Sequence, residues 1–246
     1  MPWRVMVHED EAALAEAAAG QLARAAASAI AARGRFTVAL AGGSTPTPLY
    51  ELLGTPAWRE RVPWLQTHLF WTDERFVSTA DTRSNYGTVR RALLSHLEMP
   101  PANVHPIPTS FGSPDEAAAR YEQELRRIAG GGTAVPEHDL LLLGRGADGH
   151  TASLFPRSDL LRVEDRLVAA DPVPRSGTAR ITMTFPLLNA SRLALVLVSG
   201  ASKASVLRDV LFGDDDPDRL PAQRVQPKSG LLECHLDRAA ATGLHP

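Results

Sequence analysis

The chain has 246 residues, of which 44% are hydrophobic and 22% are charged, as expected for a globular protein with a sizeable core. Its formal net charge of -2 gives no general basic surface, so neither nucleic acid nor a membrane is predicted as a partner. An anionic ligand would need a local site. The single cysteine, Cys234, excludes a disulfide within the chain and a zinc site built on cysteines.

No apolar run approaches the roughly 20 residues that a membrane-spanning helix needs. The first residues contain three consecutive acids, Glu9 to Glu11, and no basic stretch that leads into an apolar one. Neither a signal peptide nor a transit peptide is therefore predicted. Together with the single cysteine, which suits a reducing compartment, this favours a cytoplasmic protein.

Apolar runs and helical patterns alternate along the chain. The pattern predicts strands over 3–7, 36–41, 67–72, 140–143, 167–170, 193–198 and 231–235. It predicts helices over 9–32, 46–53, 85–97, 114–129 and 203–212, the last four with Thr45, Ser84, Ser113 and Ser202 as N-caps, and a short helix after the last strand.

This alternation predicts one α/β domain over residues 1–246, with a doubly wound, mostly parallel sheet flanked by helices in a Rossmann-like arrangement. The nearly continuous apolar strands agree, because strands of such sheets are buried on both faces. Ligands bind beyond the carboxyl ends of these strands. The functional residues are therefore sought where the strands end.

Four polar clusters follow the four strongest predicted strands. If the strands are parallel, all four clusters lie at one edge of the sheet, which is a stronger signal than any single motif. The clusters are Gly42-Gly43-Ser44-Thr45, Asp73-Glu74-Arg75, the GRGADGH segment 144–150, and Gly200-Ala201-Ser202-Lys203.

The Gly42–Thr45 segment has the features of a phosphate cradle. Small residues let backbone N–H groups approach an anion, and the helix that follows points its positive end toward them. An ordinary glycine turn with a helix cap is the alternative. Lys203 and Arg180 can add positive charge to the same anion or be solvated surface residues, whereas Arg75 lies directly at a strand end.

Asp148 and His150 are the residues best suited to chemistry. A histidine has an unperturbed pKa near ~6.5 and can act as a general base at neutral pH, and an aspartate can orient its ring or stabilise its charged form. The two residues can converge only if the chain bends at Gly149. A capping aspartate beside a structural histidine is the alternative interpretation.

The same segment contains Gly144-x-Gly146-x-x-Gly149, the spacing of the dinucleotide-binding fingerprint, and Asp171 follows at about the expected distance. That fingerprint requires a long helix after its third glycine. Here Pro156 interrupts the segment after barely two helical turns, and His150 follows the third glycine, where small residues are needed. We therefore predict no NAD or FAD site.

Five blocks of sequence, in this order, resemble the 6-phosphogluconolactonase family. They cover about 36–227, and the TDERFV and DGHTASLFP blocks are the specific ones, whereas GGSTP is shared with the wider superfamily that includes the glucosamine-6-phosphate deaminases. The blocks are VALAGGSTPTPLYELL, WTDERFV with SNYG shortly after, LLLGRGADGHTASLFP, RITMTFPLLNASRLALVLVSGASKASVL and LPAQRVQP.

The resemblance implies a fold of the phosphosugar-isomerase type and hydrolysis of 6-phosphoglucono-δ-lactone to 6-phosphogluconate in the oxidative pentose phosphate pathway. It implies neither a metal nor an organic cofactor, and we expect a monomer or a weak dimer. By motif position, His150 is the general base, with Asp148 as its partner or as a substrate contact. The implied substrate-binding residues are Gly42, Gly43, Ser44, Thr45, Asp73, Arg75 and Lys203, together with Arg180, which aligns with a phosphate contact of the deaminases.

The chain departs from the family at Arg145, where an apolar residue is usual, and at Cys234, where tryptophan is common.

The two alternative functions are a glucosamine-6-phosphate deaminase and a non-catalytic sugar-phosphate sensor. A deaminase has a glutamate where this chain has Phe155 and an aromatic residue where it has Arg75. A non-catalytic sugar-phosphate sensor carries a helix-turn-helix module ahead of the sensor domain, whereas the α/β pattern here begins at Trp3.

Overall fold

A computed structural model describes residues 3–110, 112–171 and 177–244 of the chain. Its nine strands are β1 Trp3–His8, β2 Phe36–Leu40, β3 Thr67–Trp71, β4 Asp73–Arg75, β5 Leu140–Leu143, β6 Val168–Asp171, β7 Arg180–Met183, β8 Leu193–Val198 and β9 Leu231–Asp237. Its α-helices are α1 Glu11–Arg33, α2 Thr47–Gly54, α3 Pro56–Arg59, α4 Asn85–Ala92, α5 Pro114–Ile128, α6 Phe185–Leu188 and α7 Ala204–Phe212.

Six strands form one parallel sheet in the order β1-β9-β8-β5-β2-β3. The central strands β5 and β8 are buried at every residue, which explains their unbroken apolar sequence. The chain runs outward from β2 to β3 and then returns to the other side of β2 for β5. The order therefore reverses between β2 and β5, and the predicted doubly wound α/β fold is confirmed.

A second, antiparallel sheet has the order β4-β7-β6 and was not predicted. Its strands have three or four residues each, too few for a periodic sequence signal. The predicted strand over 167–170 exists as β6, but it belongs to this small sheet rather than to the parallel one. The small sheet packs against α5.

Helix ends follow the sequence at several places. Asp10 caps α1 by accepting a hydrogen bond of 2.8 Å from the Ala13 amide, and Gly34 ends this helix with a φ of +74°. Ser84 caps α4, and Ser113 forms the predicted capping box with Glu116. These helix ends therefore follow from residues close to them in the sequence.

Four predicted details are wrong. Pro46, not Thr45, precedes α2, and a 3-10 turn over Ala201–Lys203 separates Ser202 from α7. The helix that begins at Asn85 ends at Ala92 instead of near Leu97. Leu93 has a φ of -129° and a ψ of -62°, outside helical geometry, and its side chain is buried. Turns over 238–243 replace the predicted short helix after the last strand.

Candidate active site

The candidate site lies where the strand order reverses, at the carboxyl ends of β2 and β5, as expected for this type of sheet. A cleft of about 240 Å³ opens there. The structure brings every predicted substrate-binding residue and His150 to this cleft. Its lining is Ala41, Gly42, Gly43, Ser44, Thr45, Pro46, Asp73, Arg75, Asn85, Gly144, Arg145, Gly146, His150, Ala152, Phe155, Arg180 and Lys203.

The loop Gly42–Thr45 leads from β2 into α2. Gly43 has a φ of +96°, a conformation that glycine adopts without strain. Among the described residues, the amides of Ser44 and Thr45 donate to no backbone or side-chain acceptor. Free amides beside the N-terminus of α2 form an arrangement suited to an anion.

Two arginines lie side by side in the small sheet. Arg75 of β4 is paired with Arg180 of β7 in the antiparallel register, and both line the cleft. Burial, followed by the charge of Arg75, lowers the pKa of Arg180. The buried Nε atom of Arg180 has no partner in the described structure. Two neighbouring, partly desolvated cations repel each other, and an anion between them would relieve that cost.

Asp73, the first residue of β4, is buried. Its Oδ2 accepts a hydrogen bond of 2.7 Å from Ser153 Oγ, and its Oδ1 accepts one of 3.3 Å from Thr72 Oγ1. The Ser153 contact joins β4 to the segment that carries His150. Asp73 therefore fixes the position of one side of the cleft relative to the other.

Asp148 and His150 do converge. The chain bends at Gly149, which has a φ of +88° and whose added Cβ would lie 2.7 Å from a Leu220 methyl group. His150 Nδ1 lies 2.6 Å from Asp148 Oδ1, which also accepts a hydrogen bond of 3.2 Å from the His150 amide. Packing is close, since a Cβ on Gly146 would lie 2.0 Å from His150 Nδ1.

This geometry assigns the proton of the neutral imidazole to Nδ1, because an ionised aspartate only accepts hydrogen bonds. The lone pair is then on Nε2. The hydrogen bond from His150 lowers the pKa of Asp148 to about 2, so that the carboxylate is charged at neutral pH. The Phe155 ring lies 4.6 Å from the imidazole, centroid to centroid, at an angle of 48°. His150 is thus an oriented, half-buried base candidate.

Lys203 approaches the same glycine-rich loop. Its Nζ donates a hydrogen bond of 2.5 Å to the carbonyl oxygen of Arg145. Burial lowers its pKa, while the nearby charge of Asp148 acts in the opposite direction. Lys203 therefore holds the loop in place and contributes positive charge to the cleft.

The unexpected Arg145 has its guanidinium over the Trp3 ring, 5.2 Å from the ring centroid. Its Nε and Nη1 atoms are buried and have no partner in the described structure. Burial lowers the pKa of Arg145. Burial also raises the pKa of the Cys234 thiol, to about 11. Both departures from the family sequence are therefore buried, and their charges influence each other.

Asn85 and Ser153 were missed by the sequence reasoning. Both are buried and contact predicted site residues. Each stands inside a block already singled out, SNYG and DGHTASLFP, which was the available signal. Nothing in the residue pattern indicated which positions of these blocks face the site.

The geometry after Gly149 does not match a dinucleotide site. Residues Thr151 and Leu154 form an isolated bridge within a turn, where the fingerprint requires a long helix. Asp171 ends a strand of the small antiparallel sheet and not a neighbouring parallel strand.

Among the described residues, no three His, Cys, Asp or Glu side chains come together in an arrangement that could hold a metal. No described helix is long and apolar enough to cross a membrane.

Comparison with solved structures places this fold among known enzymes. The crystal structure of a devB protein superposes with a TM-score of 0.88 at 31% identity, covering 98% of both chains. The 6-phosphogluconolactonase of Thermotoga maritima gives 0.81 at 31% identity, covering 95% of this chain and 99% of its own. A monomeric glucosamine-6-phosphate deaminase gives 0.79 at 21% identity, covering 97% of this chain and 99% of its own, a similarity of fold alone.

Sequence comparison gives closer matches. The 6-phosphogluconolactonase of Synechocystis is 43% identical over 221 residues, covering 89% of this chain and 88% of that protein. That of Mycobacterium tuberculosis is 38% identical over 245 residues, covering 98% of each chain. Residues 9–234 match the family described as glucosamine-6-phosphate isomerases/6-phosphogluconolactonase. The protein belongs to this family.

Proposed function

We propose that this protein hydrolyses 6-phospho-D-glucono-1,5-lactone to 6-phospho-D-gluconate, with His150 as general base. The observation that carries the proposal is the Asp148–His150 pair, 2.6 Å apart, in a cleft that also receives Arg75 and Arg180. A base and a cationic clamp are what a phosphorylated lactone requires. The relatives named above, which are 6-phosphogluconolactonases, support this substrate.

In the first step, His150 Nε2 removes a proton from water while the water oxygen attacks the lactone carbonyl carbon. Asp148 stabilises the resulting imidazolium through Nδ1. General-base catalysis of this kind contributes roughly 10²–10⁴-fold. Backbone amides of the glycine-rich loops are the donors available for the oxyanion.

In the second step, the tetrahedral intermediate collapses and the bond from the carbonyl carbon to the ring oxygen breaks. The imidazolium returns its proton to that oxygen, so His150 is regenerated. One water has been added, and the product acid then ionises in solution. No redox change accompanies the reaction, and the residues described supply both proton transfers.

The phosphate is assigned to the opposite part of the cleft. Arg75 and Arg180 provide two adjacent guanidinium groups, and the free amides of the Gly42–Thr45 loop add neutral donors. Lys203 adds charge on the His150 side, and Asp73 lines the cleft between the two parts. Holding the remote phosphate orients the carbonyl toward the base, which lowers the barrier further.

We further propose that the enzyme acts in the oxidative pentose phosphate pathway of the cytoplasm, as a monomer or weak dimer, without metal or organic cofactor. The deaminase alternative is less well supported, because Phe155 lies against His150 where a deaminase has a glutamate. A sensor without turnover would have no need of an oriented base in the cleft.

The test is the rate of 6-phosphoglucono-δ-lactone loss near neutral pH, measured against buffer because the lactone also opens spontaneously. Wild type, His150→Asn and wild type treated with EDTA are run in parallel. We expect fast hydrolysis that EDTA leaves unchanged and that falls close to background in the variant. Full activity in the variant would remove the base assignment, and an inactive wild type that still binds 6-phosphogluconate would favour the sensor.

A further inference from the structure

We propose that Asn85 is a positioning residue that holds the Arg75 guanidinium in place for the phosphate of the substrate. The proposal rests on the function proposed above, in which Arg75 contacts that phosphate. Asn85 is the first residue of α4, is 2% exposed and lines the cleft.

The side-chain amide of Asn85 links two site residues. Its Oδ1 accepts a hydrogen bond of 2.7 Å from Arg75 Nη1, and its Nδ2 donates one of 2.8 Å to the carbonyl oxygen of Asp73. A guanidinium only donates and a carbonyl only accepts, so these two partners fix the orientation of the amide. Within the described part of the chain, the Arg75 side chain donates one other hydrogen bond, of 2.8 Å, to the carbonyl oxygen of Arg83.

The backbone of Asn85 is itself held by a buried carboxylate. Glu74 Oε1 accepts hydrogen bonds from the amides of Arg75, at 2.7 Å, and Asn85, at 2.8 Å. Glu74 Oε2 accepts from the Tyr86 amide at 2.8 Å and from Ser84 Oγ at 3.0 Å. The strand that carries Arg75 and the helix that carries Asn85 are thereby fixed to each other.

The Asn85 amide also packs against the loop after β2. A Cβ built on Gly42 would lie 1.9 Å from Asn85 Oδ1, a distance that no side chain can occupy. Only glycine at position 42 leaves room for the amide. Asn85 thus lies between the loop that is assigned to the phosphate and the arginine that is assigned to it.

This arrangement orders a flexible side chain before substrate arrives. When an arginine side chain becomes ordered only on binding, the lost conformational freedom weakens substrate affinity by roughly 2- to 10-fold. Removing the amide should therefore raise KM and leave kcat nearly unchanged, because the base and the water are untouched. A carboxylate at this position should raise KM further, because it would pair with Arg75 in competition with the phosphate.

The experiment measures kcat and KM for the lactone, and the inhibition constant of inorganic phosphate, for wild type, Asn85→Ala, Asn85→Asp and Arg75→Met. Thr88→Ala is the matched control, since it removes a hydroxyl of the same helix, which donates to the Ser84 carbonyl oxygen at 3.1 Å, and leaves the contacts of Glu74 and Asn85 in place. We expect KM and the phosphate inhibition constant to rise about 5-fold in Asn85→Ala and more in Asn85→Asp. Thr88→Ala should leave both constants within twofold of wild type.

Values within twofold of wild type in Asn85→Ala, alongside a clear rise in Arg75→Met, would overturn the role of Asn85 and leave the proposed function intact. Unchanged values in Arg75→Met would instead refute the phosphate contact itself, and the role of Asn85 with it. If Asn85→Ala does not fold, the nearly isosteric Asn85→Asp decides by the same two constants.

Discussion

Strand β5 has a histidine and an aspartate at each of its ends, and the two pairs differ in almost every physical property. At its start, His138 and Asp139 are both buried. At its end, Asp148 and His150 lie in the loop that opens into the cleft. Residue type is the same in both places, so environment alone separates the two roles.

At the start of β5 the two side chains serve the fold. His138 packs edge-on against Phe70 with ring centroids 5.1 Å apart, and burial lowers the pKa of His138 to about 4. Asp139 accepts hydrogen bonds of 2.8 Å from Arg33 Nη2 and from the Thr37 amide. The histidine is held neutral and the aspartate ties α1 and β2 to β5.

After the end of β5 the aspartate contacts the histidine, whereas Asp139 at the start of β5 contacts neighbouring elements of the fold. Asp148 contacts the ring and the amide of His150, and the ring remains accessible from the cleft. A general base needs both solvent access and an orienting partner, and only this pair has them. The comparison teaches that a buried histidine beside an aspartate in sequence is not evidence of catalysis.

Replacing each of the two histidines in turn, His150 and His138, tests this difference most directly. We expect His150→Asn to lower kcat by about 10²–10⁴-fold, because the proposed proton acceptor is lost, with little change in Tm. His138→Gln should lower Tm and leave kcat within about twofold, because His138 lies at the opposite end of β5 from the cleft. Steady-state kinetics and thermal melting of both variants check the prediction, and equal kcat values in the two would refute it.

The aspartate of the cleft pair should have the next largest effect. Asp148→Asn retains an acceptor for Nδ1 but cannot stabilise the imidazolium, so kcat should fall by roughly 10- to 100-fold. The loss should be present throughout the neutral range, because the pKa of Asp148 is about 2 in the wild type and the carboxylate does not titrate there. Measuring kcat as a function of pH for wild type and Asp148→Asn checks this prediction. A loss of kcat on only the acidic or only the basic side of the pH profile would contradict it.

Asp139→Asn should affect stability and not chemistry. The substitution removes the charge that faces Arg33 and Arg192, whose nitrogens lie 2.8 Å and 3.5 Å away. It should lower the free energy of unfolding by about 1–3 kcal/mol and leave kcat unchanged. Urea unfolding gives the first quantity, with Asp148→Asn as the matched comparison. A kcat loss comparable to that of Asp148→Asn would break the distinction between the two ends.

The effect that is smallest at neutral pH is on the pH dependence of stability. An unfolded histidine binds a proton below its ordinary pKa of 6.5, whereas His138 in the folded protein does so only near 4. The unfolded state therefore binds more protons between these values, and stability falls as pH drops through that window, by at most about 1.4 kcal/mol per pH unit. Urea unfolding at several pH values should give a shallower slope for His138→Gln than for wild type. Identical slopes would mean that His138 is not held neutral.

The sequence was sufficient for much of the fold and for bringing the predicted site residues to one cleft. Buried apolar strands, helix caps and glycines are encoded by neighbouring residues, and parallel strands must bring their carboxyl ends to one edge. The loops of Gly42–Thr45 and Asp148–His150 were found for that reason. The small sheet was missed, because three- and four-residue strands leave no periodic pattern.

What the sequence determined by itself is local: a glycine-rich loop suited to an anion, a bend at Gly149 that joins Asp148 to His150, and a histidine near a strand end that is a candidate base. Only the tertiary structure decided that Arg180 pairs with Arg75, that Asn85 holds that arginine, and that Arg145 is buried against Trp3. The physical reason is one of range. Backbone conformation responds to adjacent residues, whereas contacts between distant side chains depend on strand register and burial, which the whole fold sets.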